Sequence, residues 1–232
     1  ASHHTSDLFL WSKGFTDYSS IKFTWLVEPR LADGSISKIP LVMNLFGGEQ
    51  RTMQALGVSR EDEIGLRMVA MMKPDIGLFF KKPWKALPLL KDAMAMPPKK
   101  KRTGACQRVK LPLDLTKLPI PKTWPLDGGS FVTLPLVITK NPKTGEHNMG
   151  MYRAQVFGPK QIGLHWQIHK HGADHAAMLG KDAKMPVAIC IGGPPELIFS
   201  AISPLPDNLS EYQFAGILGR KSLPITKALT QD

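Results

Sequence analysis

The sequence predicts an α+β fold, and three observations carry the prediction. Strand-like alternation dominates the C-terminal half, helical spacing appears in separate stretches between strands, and Gly and Pro keep most elements short. At 232 residues the chain has room for one large domain or two small ones with a real core. Its 43% hydrophobic and 21% charged residues are those of a globular protein, and no apolar run approaches the length of a membrane span. No integral membrane segment is therefore expected. Ala1-Ser2-His3-His4 lacks both an initiator Met and the pattern of a signal peptide, so it reads as a processed end.

Taken in order, residues 20–27 and 39–46 read as strands, the second closed by Gly47-Gly48. Ser59-Arg60-Glu61-Asp62 looks like a helix start, with acids in the first turn. Ile64, Met68, Met71 and Met72 recur there at helical spacing until Pro74, and such a Met stripe reads as core. From Lys81 to Trp124 the chain is rich in Pro and Lys and reads as a surface connector, which places the division of the chain near 124/125. Residues 131–139 form a strand, and Asn141-Pro142-Lys143-Thr144-Gly145 turns it into a three-strand antiparallel meander. Further on, His171 to Leu179 reads as a helix ended by Gly180, and 186–191 as an apolar buried strand. Pro194-Pro195 opens a helix through Leu197, Ile198 and Ile202; a last helix runs from Asn208 to Gly219, before a strand-like 223–227.

The stretch from Asn148 to His171 concentrates polar and basic side chains on strand-like segments, which singles it out as a site. Residues 149–157 and 161–168 flank Gly158-Pro159-Lys160, a turn of hairpin length. Pairing Phe157 with Gln161 sets Arg153 opposite His165, Met151 opposite Gln167, and Asn148 close to Lys170. Alternation then gives Arg153, Gln155, His165 and Gln167 one face, and Tyr152, Leu164, Trp166 and Ile168 the other, core-like face. Two potentially cationic groups placed across from each other repel unless an anion lies between them, so a phosphate or carboxylate ligand is the simplest resolution. A solvated polar face is the alternative.

The net charge of +11 and pI near 9.7 call for an anionic partner or an acidic portion elsewhere. Pro97-Pro98-Lys99-Lys100-Lys101-Arg102 is the strongest argument for nucleic acid. The run is short, though, and lacks interleaved aromatic residues that would stack bases, so no nucleic-acid partner is expected. Cys106 and Cys190 match no metal or redox spacing and read as buried thiols of a reducing, cytoplasmic compartment.

Several of these segments resemble the UbiD family of reversible (de)carboxylases. They are Pro40-Leu-Val-Met-Asn-Leu-Phe-Gly47, Asn148-Met-Gly-Met-Tyr-Arg153, Gly163-Leu-His-Trp-Gln-Ile-His-Lys-His171, Pro186-Val-Ala-Ile-Cys-Ile, Pro204-Leu-Pro and Leu209-Ser-Glu-Tyr-Gln-Phe-Ala-Gly216. The likeness covers most of residues 39–232, in matching order and spacing. It implies a split β-barrel like that of flavin reductases, in residues 125–232, holding prenylated FMN; residues 1–124 become an N-terminal mixed α/β region with its connector. By the same resemblance Asn148, His171 and Glu211 hold Mn²⁺ or Mg²⁺, a donor set suited to a hard ion, and K⁺ is a further cofactor candidate. Thr133, Met151, Tyr152, Arg153, His165, Trp166, Gln167, Lys170 and His171 match the cofactor-contacting segments.

Arg153 corresponds to the family's catalytic arginine, which binds a carboxylate bidentately. The implied reaction is non-oxidative decarboxylation, or its reverse, of an aromatic or α,β-unsaturated acid. A small aromatic acid of the hydroxybenzoate or quinone-precursor type is favoured as substrate, and a flavin prenyltransferase is the implied source of cofactor. The two acids that partner the arginine in the family, and its C-terminal oligomerisation region, have no counterpart before Asp232. The chain is thus expected to be the cofactor-binding portion of a protein that is homo-oligomeric when full length, and to be inactive alone. A flavin-binding module without catalysis and a basic interaction protein are the alternatives.

Overall fold

The computed structural model describes residues 24–26, 28–72, 83–168, 170–180, 182–206 and 209–230. In chain order the strands are β1 (Thr24–Leu26), β2 (Leu41–Met43), β3 (Lys99–Lys100), β4 (Phe131–Val132), β5 (Leu136–Lys140), β6 (His147–Met151), β7 (Ala154–Gly158), β8 (Gln161–Leu164), β9 (Ala188–Cys190) and β10 (Pro224–Ile225). The helices are α1 (Glu49–Leu56), α2 (Asp62–Met72), α3 (Pro83–Ala95), α4 (His171–Leu179), α5 (Pro195–Ser200) and α6 (Glu211–Gly219). They belong to two compact units interleaved along the sequence. One gathers the described residues of Ala1–Ala55, Leu111–Pro135 and Tyr152–His165, the other those of Leu56–Lys110, Leu136–Met151 and Trp166–Asp232.

In the first unit β1 pairs antiparallel with β2, so both expected N-terminal strands form, over Thr24–Leu26 and Leu41–Met43; residues 20–23 and 27 lie outside the described residues. A second sheet has the order β4-β7-β8. Ala154 pairs with Leu164, Gln155 with Gly163 and Val156 with Ile162, the register read from the sequence; a bulge then shifts the tip so that Gly158, not Phe157, faces Gln161. The His165 N–H donates to the Arg153 carbonyl at 3.1 Å, so those two residues do lie opposite each other. The meander stops there. Met151 pairs with Leu136 instead of Gln167, because the long strand expected over 149–157 is interrupted at Tyr152-Arg153. Its neighbour is likewise interrupted between Val132 and Leu136, where Pro135 is buried and cannot donate to a ladder. Ile168, expected on the core face, is 82% exposed, since the strand alternation ends at Leu164.

The second unit carries a hydrophobic core built on α6. Phe214, Ile217 and Leu218 of α6 are fully buried, and Ile64 and Met68 of α2, Met96, Phe199, Leu205 and Leu209 pack against them. The Met stripe is thus core at Met68; the side chains of Met71 and Met72, and Pro74, lie outside the described residues. Ser210 caps α6, its hydroxyl accepting from the Gln213 N–H while the Gln213 side chain accepts from the Ser210 N–H; Asn208, the expected start, is outside the described residues. Gly216 allows the end of α3 to approach, for a Cβ there would overlap the Ala95 carbonyl.

The sheet order β6-β5-β9 completes this unit, together with a parallel pair of β3 and β10. The β5–β6 hairpin turns where expected: the Asn141 side chain accepts from the Lys143 and Thr144 N–H groups, and Gly145 takes φ 75°.

Five expectations are corrected here. The strands make small sheets, and no closed barrel forms among the described residues. The connector contains α3, missed because Pro88 lies inside it and removes one helical donor. Lys99-Lys100 is a strand held by Lys99 N–H to Leu223 O and Lys101 N–H to Ile225 O. Finally, β9 is only half-buried at the sheet edge, and Cys106 and Cys190 are both exposed free thiols.

Candidate functional site

Asn148, His171 and Glu211 converge in the second unit. Asn148 lies on β6 and is 9% exposed, pointing to the side where α4 packs against β5 and β6. His171 is the first residue of α4, and its Nδ1 lies 3.1 Å from Asn148 Oδ1. With Nδ1–H donating to that oxygen, Nε2 keeps its lone pair. Glu211 opens α6, and its Oε2 accepts from the Met149 N–H, the residue after Asn148, at 3.5 Å.

Electrostatics sharpen the picture. Burial raises the Glu211 carboxyl above its ordinary range, opposed by the N–H groups of Glu211 and Met149 and by His171. Burial followed by the Glu211 charge also pushes the Tyr212 phenol up. The Asn148 Nδ2 is buried without a partner among the described residues; turning the amide over leaves the oxygen as the orphan instead. Here, then, are a desolvated carboxyl, an imidazole with a free ring nitrogen and an amide oxygen with a second lone pair, oxygen and nitrogen donors of the kind a cation takes. An amide oxygen, a carboxylate and one imidazole suit Mn²⁺ or Mg²⁺. No cluster of three or more His, Cys, Asp or Glu side chains forms among the described residues, so a metal on this patch draws on the asparagine.

The other predicted residues distribute between the units. Arg153 sits in the first unit at the interruption before β7, exposed, its guanidinium 4.9 Å from the centre of the Phe131 ring. Among the described residues it makes no ion pair, and its N–H groups stay available for a carboxylate. The ring thus answers part of the expected repulsion with His165, which is also exposed. Thr133 is exposed just past β4, and Tyr152 is 3% exposed, a core side chain as its alternation predicts. In the second unit Met151 and Trp166 are half-buried, while Gln167 and Lys170 are exposed, Lys170 at the residue before α4 with no capping bond from its side chain.

Three residues of these surroundings escape a sequence reading. Phe131 looks like an ordinary strand residue, and only the β4–β7 register, which pairs it with Gln155, brings it under Arg153. Thr139 and His175 are buried, with Thr139 Oγ1 2.9 Å from His175 Nδ1. The spacing of His175, four residues after His171, was the available signal.

The UbiD family, described as 3-octaprenyl-4-hydroxybenzoate carboxy-lyase Rift-related domain, matches residues 98–232, more than half of the chain. A protein of Archaeoglobus fulgidus without an assigned function is 44% identical over 196 residues, 84% of this chain and 40% of that protein. The UbiD-class enzyme HmfF of Pelotomaculum thermopropionicum, solved with FMN, superposes with a TM-score of 0.67 at 21% identity, over 84% of this chain and 40% of its own. An evolved dimeric form of that enzyme, with prFMN, gives 0.63 at 21% identity, over 84% and 42%. Vanillic acid decarboxylase of Sedimentibacter hydroxybenzoicus, in its closed form, gives 0.65 at 24% identity, over 84% and 40%. At these identities the solved structures establish a shared fold. The chain spans about 40% of the length of these relatives.

Proposed function

Because the chain belongs to the UbiD family of carboxy-lyases, we propose that it is the cofactor-binding portion of a decarboxylase acting on a small aromatic or α,β-unsaturated acid. The observation that carries this reading is the juxtaposition of Asn148 and His171 with the desolvated Glu211 carboxyl. In the proposal these three would hold Mn²⁺ or Mg²⁺, which would supply the positive charge that neutralises the desolvated Glu211 carboxylate. Prenylated FMN supplies the electron sink for loss of CO₂.

Arg153 binds the substrate carboxylate through paired N–H donors, a task for which guanidinium is suited because it stays charged throughout. Its lack of a competing carboxylate among the described residues supports that role. Thr133, Met151, Tyr152, His165, Trp166, Gln167, Lys170 and His171 are proposed cofactor contacts within the portion from residue 125 onward. Homo-oligomerisation, supply of cofactor by a flavin prenyltransferase, and reversibility belong to the proposal for the whole protein.

The test is to produce the chain together with a flavin prenyltransferase and record its intact mass and absorbance spectrum. Bound prenylated flavin that is lost on Glu211→Gln or His171→Ala is expected. A flavin-free wild-type chain, or flavin retained equally by both variants, overturns the reading.

A further inference from the structure

The buried pair Thr139 and His175 repeats the geometry of the Asn148–His171 pair one helical turn away. Thr139 on β5 and Asn148 on β6 are direct cross-strand partners, so their side chains leave the same face of the hairpin. His171 and His175, four apart on α4, likewise share one face of that helix. Each strand residue takes one histidine: Asn148 Oδ1 with His171 Nδ1 at 3.1 Å, Thr139 Oγ1 with His175 Nδ1 at 2.9 Å. The two pairs differ in environment. Thr139 is 1% and His175 5% exposed, whereas His171 is exposed. The inner pair is therefore sealed from solvent, while the His171 ring of the outer pair meets it.

We propose that Thr139 and His175 are positioning residues that fix α4 on the β5–β6 hairpin and thereby set the separation of the Asn148 oxygen and the His171 ring. The proposal rests on the reading of Asn148, His171 and Glu211 as a cation site. A hydrogen bond of this kind has only two partners and no slack, since neither side chain reaches water to exchange it. Breaking it lets the first turn of α4 drift and spoils the ligand geometry while leaving every ligand in place. Outer partners of metal ligands commonly contribute 10–100-fold in affinity, and this pair, one step further removed, is expected near the lower end, about tenfold.

The experiment uses the full chain with Mn²⁺ as probe, its free concentration followed by electron paramagnetic resonance well below the melting temperature. Thr139→Val removes only the hydroxyl and is expected to weaken Mn²⁺ about tenfold, in line with that lower end. Thr139→Ser, which restores the hydroxyl, is expected to recover it. Nitrogen-15 spectra of the metal-free imidazoles give a second readout: in Thr139→Val the His171 ring is expected to pass from one dominant tautomer to a mixture, and Thr139→Ser to restore it. Wild-type Mn²⁺ affinity and an unchanged His171 tautomer in Thr139→Val, with only the melting temperature lowered, overturn the proposal and show a merely structural pair. Loss of Mn²⁺ binding in His171→Ala and Glu211→Gln beside normal binding in Thr139→Val leaves the cation reading standing and removes this inference alone. Mn²⁺ binding that none of the variants alters overturns both.

Discussion

The two regions that carry the candidate chemistry are built on opposite principles. In the Asn148, His171 and Glu211 patch of the second unit the oxygen donors are buried: the carboxyl is raised by desolvation, and the amide is 9% exposed with its oxygen turned to the His171 ring. The hairpin of the first unit keeps Arg153 and His165 in solvent, and holds the guanidinium by the face of the Phe131 ring. A cation site needs desolvated oxygen donors fixed in advance, whereas a substrate-binding arginine needs its donors unspent. Each environment matches the task proposed for it. The contrast also says which variants act through the fold and which act on one group.

The largest effect is expected from the platform under Glu211. Phe214 is fully buried three residues along α6, and Phe214→Ala is expected to cost about 3–5 kcal/mol of stability, measured by denaturant unfolding. Wild-type stability in that variant breaks the claim that burial organises this patch. Arg153→Ala is expected to cost no more than about 1 kcal/mol of stability, the worth of its exposed cation–π contact with Phe131. It should lower turnover of a loaded full-length protein by roughly 10²–10³-fold, the scale of losing one electrostatic donor. Equal turnover in variant and wild type removes Arg153 from the chemistry.

Glu211→Gln tests the electrostatics of the buried patch. The folded carboxyl titrates above its unfolded value, so its contribution to stability is fully present below the unfolded pKa and is lost as pH rises through the folded one. The metal-free wild type should therefore lose melting temperature, relative to Glu211→Gln, as pH rises through and above the ordinary glutamate range. Mn²⁺ should restore it in wild type only. Parallel melting curves across that range contradict the assignment. Phe131→Leu is the smallest change, expected to shift Arg153 side-chain resonances downfield as the ring current is lost. Its energetic cost is about 0.5–1 kcal/mol, the worth of an exposed cation–π contact; resonances that do not move show that the ring does not hold the guanidinium.

How far the sequence could be read follows the same division. Local chemistry was legible: the hairpin about Gly158-Pro159-Lys160 sets Arg153 opposite His165 as expected, with a bulge only at its tip, and α4 and α6 stop at Gly180 and Gly219, their expected ends. What failed needed contacts distant in sequence. Pro135 and the Tyr152-Arg153 interruption divide the expected meander between two sheets, and no alternation pattern reveals that a strand changes partners partway along. Helix α3 hid behind Pro88, whose cost is local while the burial of Asp92 and Ala95 that accompanies the helix is tertiary. Helix α1 hid because Glu49–Leu56 is mostly polar, with only Leu56 fully buried. His175 showed as a spacing, but its partner Thr139 depended on the β5–β6 register.

The most direct test of the central claim is the Mn²⁺ stoichiometry of the purified chain, measured by electron paramagnetic resonance alongside Asn148→Ala, His171→Ala and Glu211→Gln. The account predicts about one tightly bound Mn²⁺ in the wild type, weakened at least about 100-fold in each variant, since a direct ligand counts for no less than the strongest outer-shell partner. A wild-type chain that binds no Mn²⁺, or one whose binding survives all three substitutions, contradicts it.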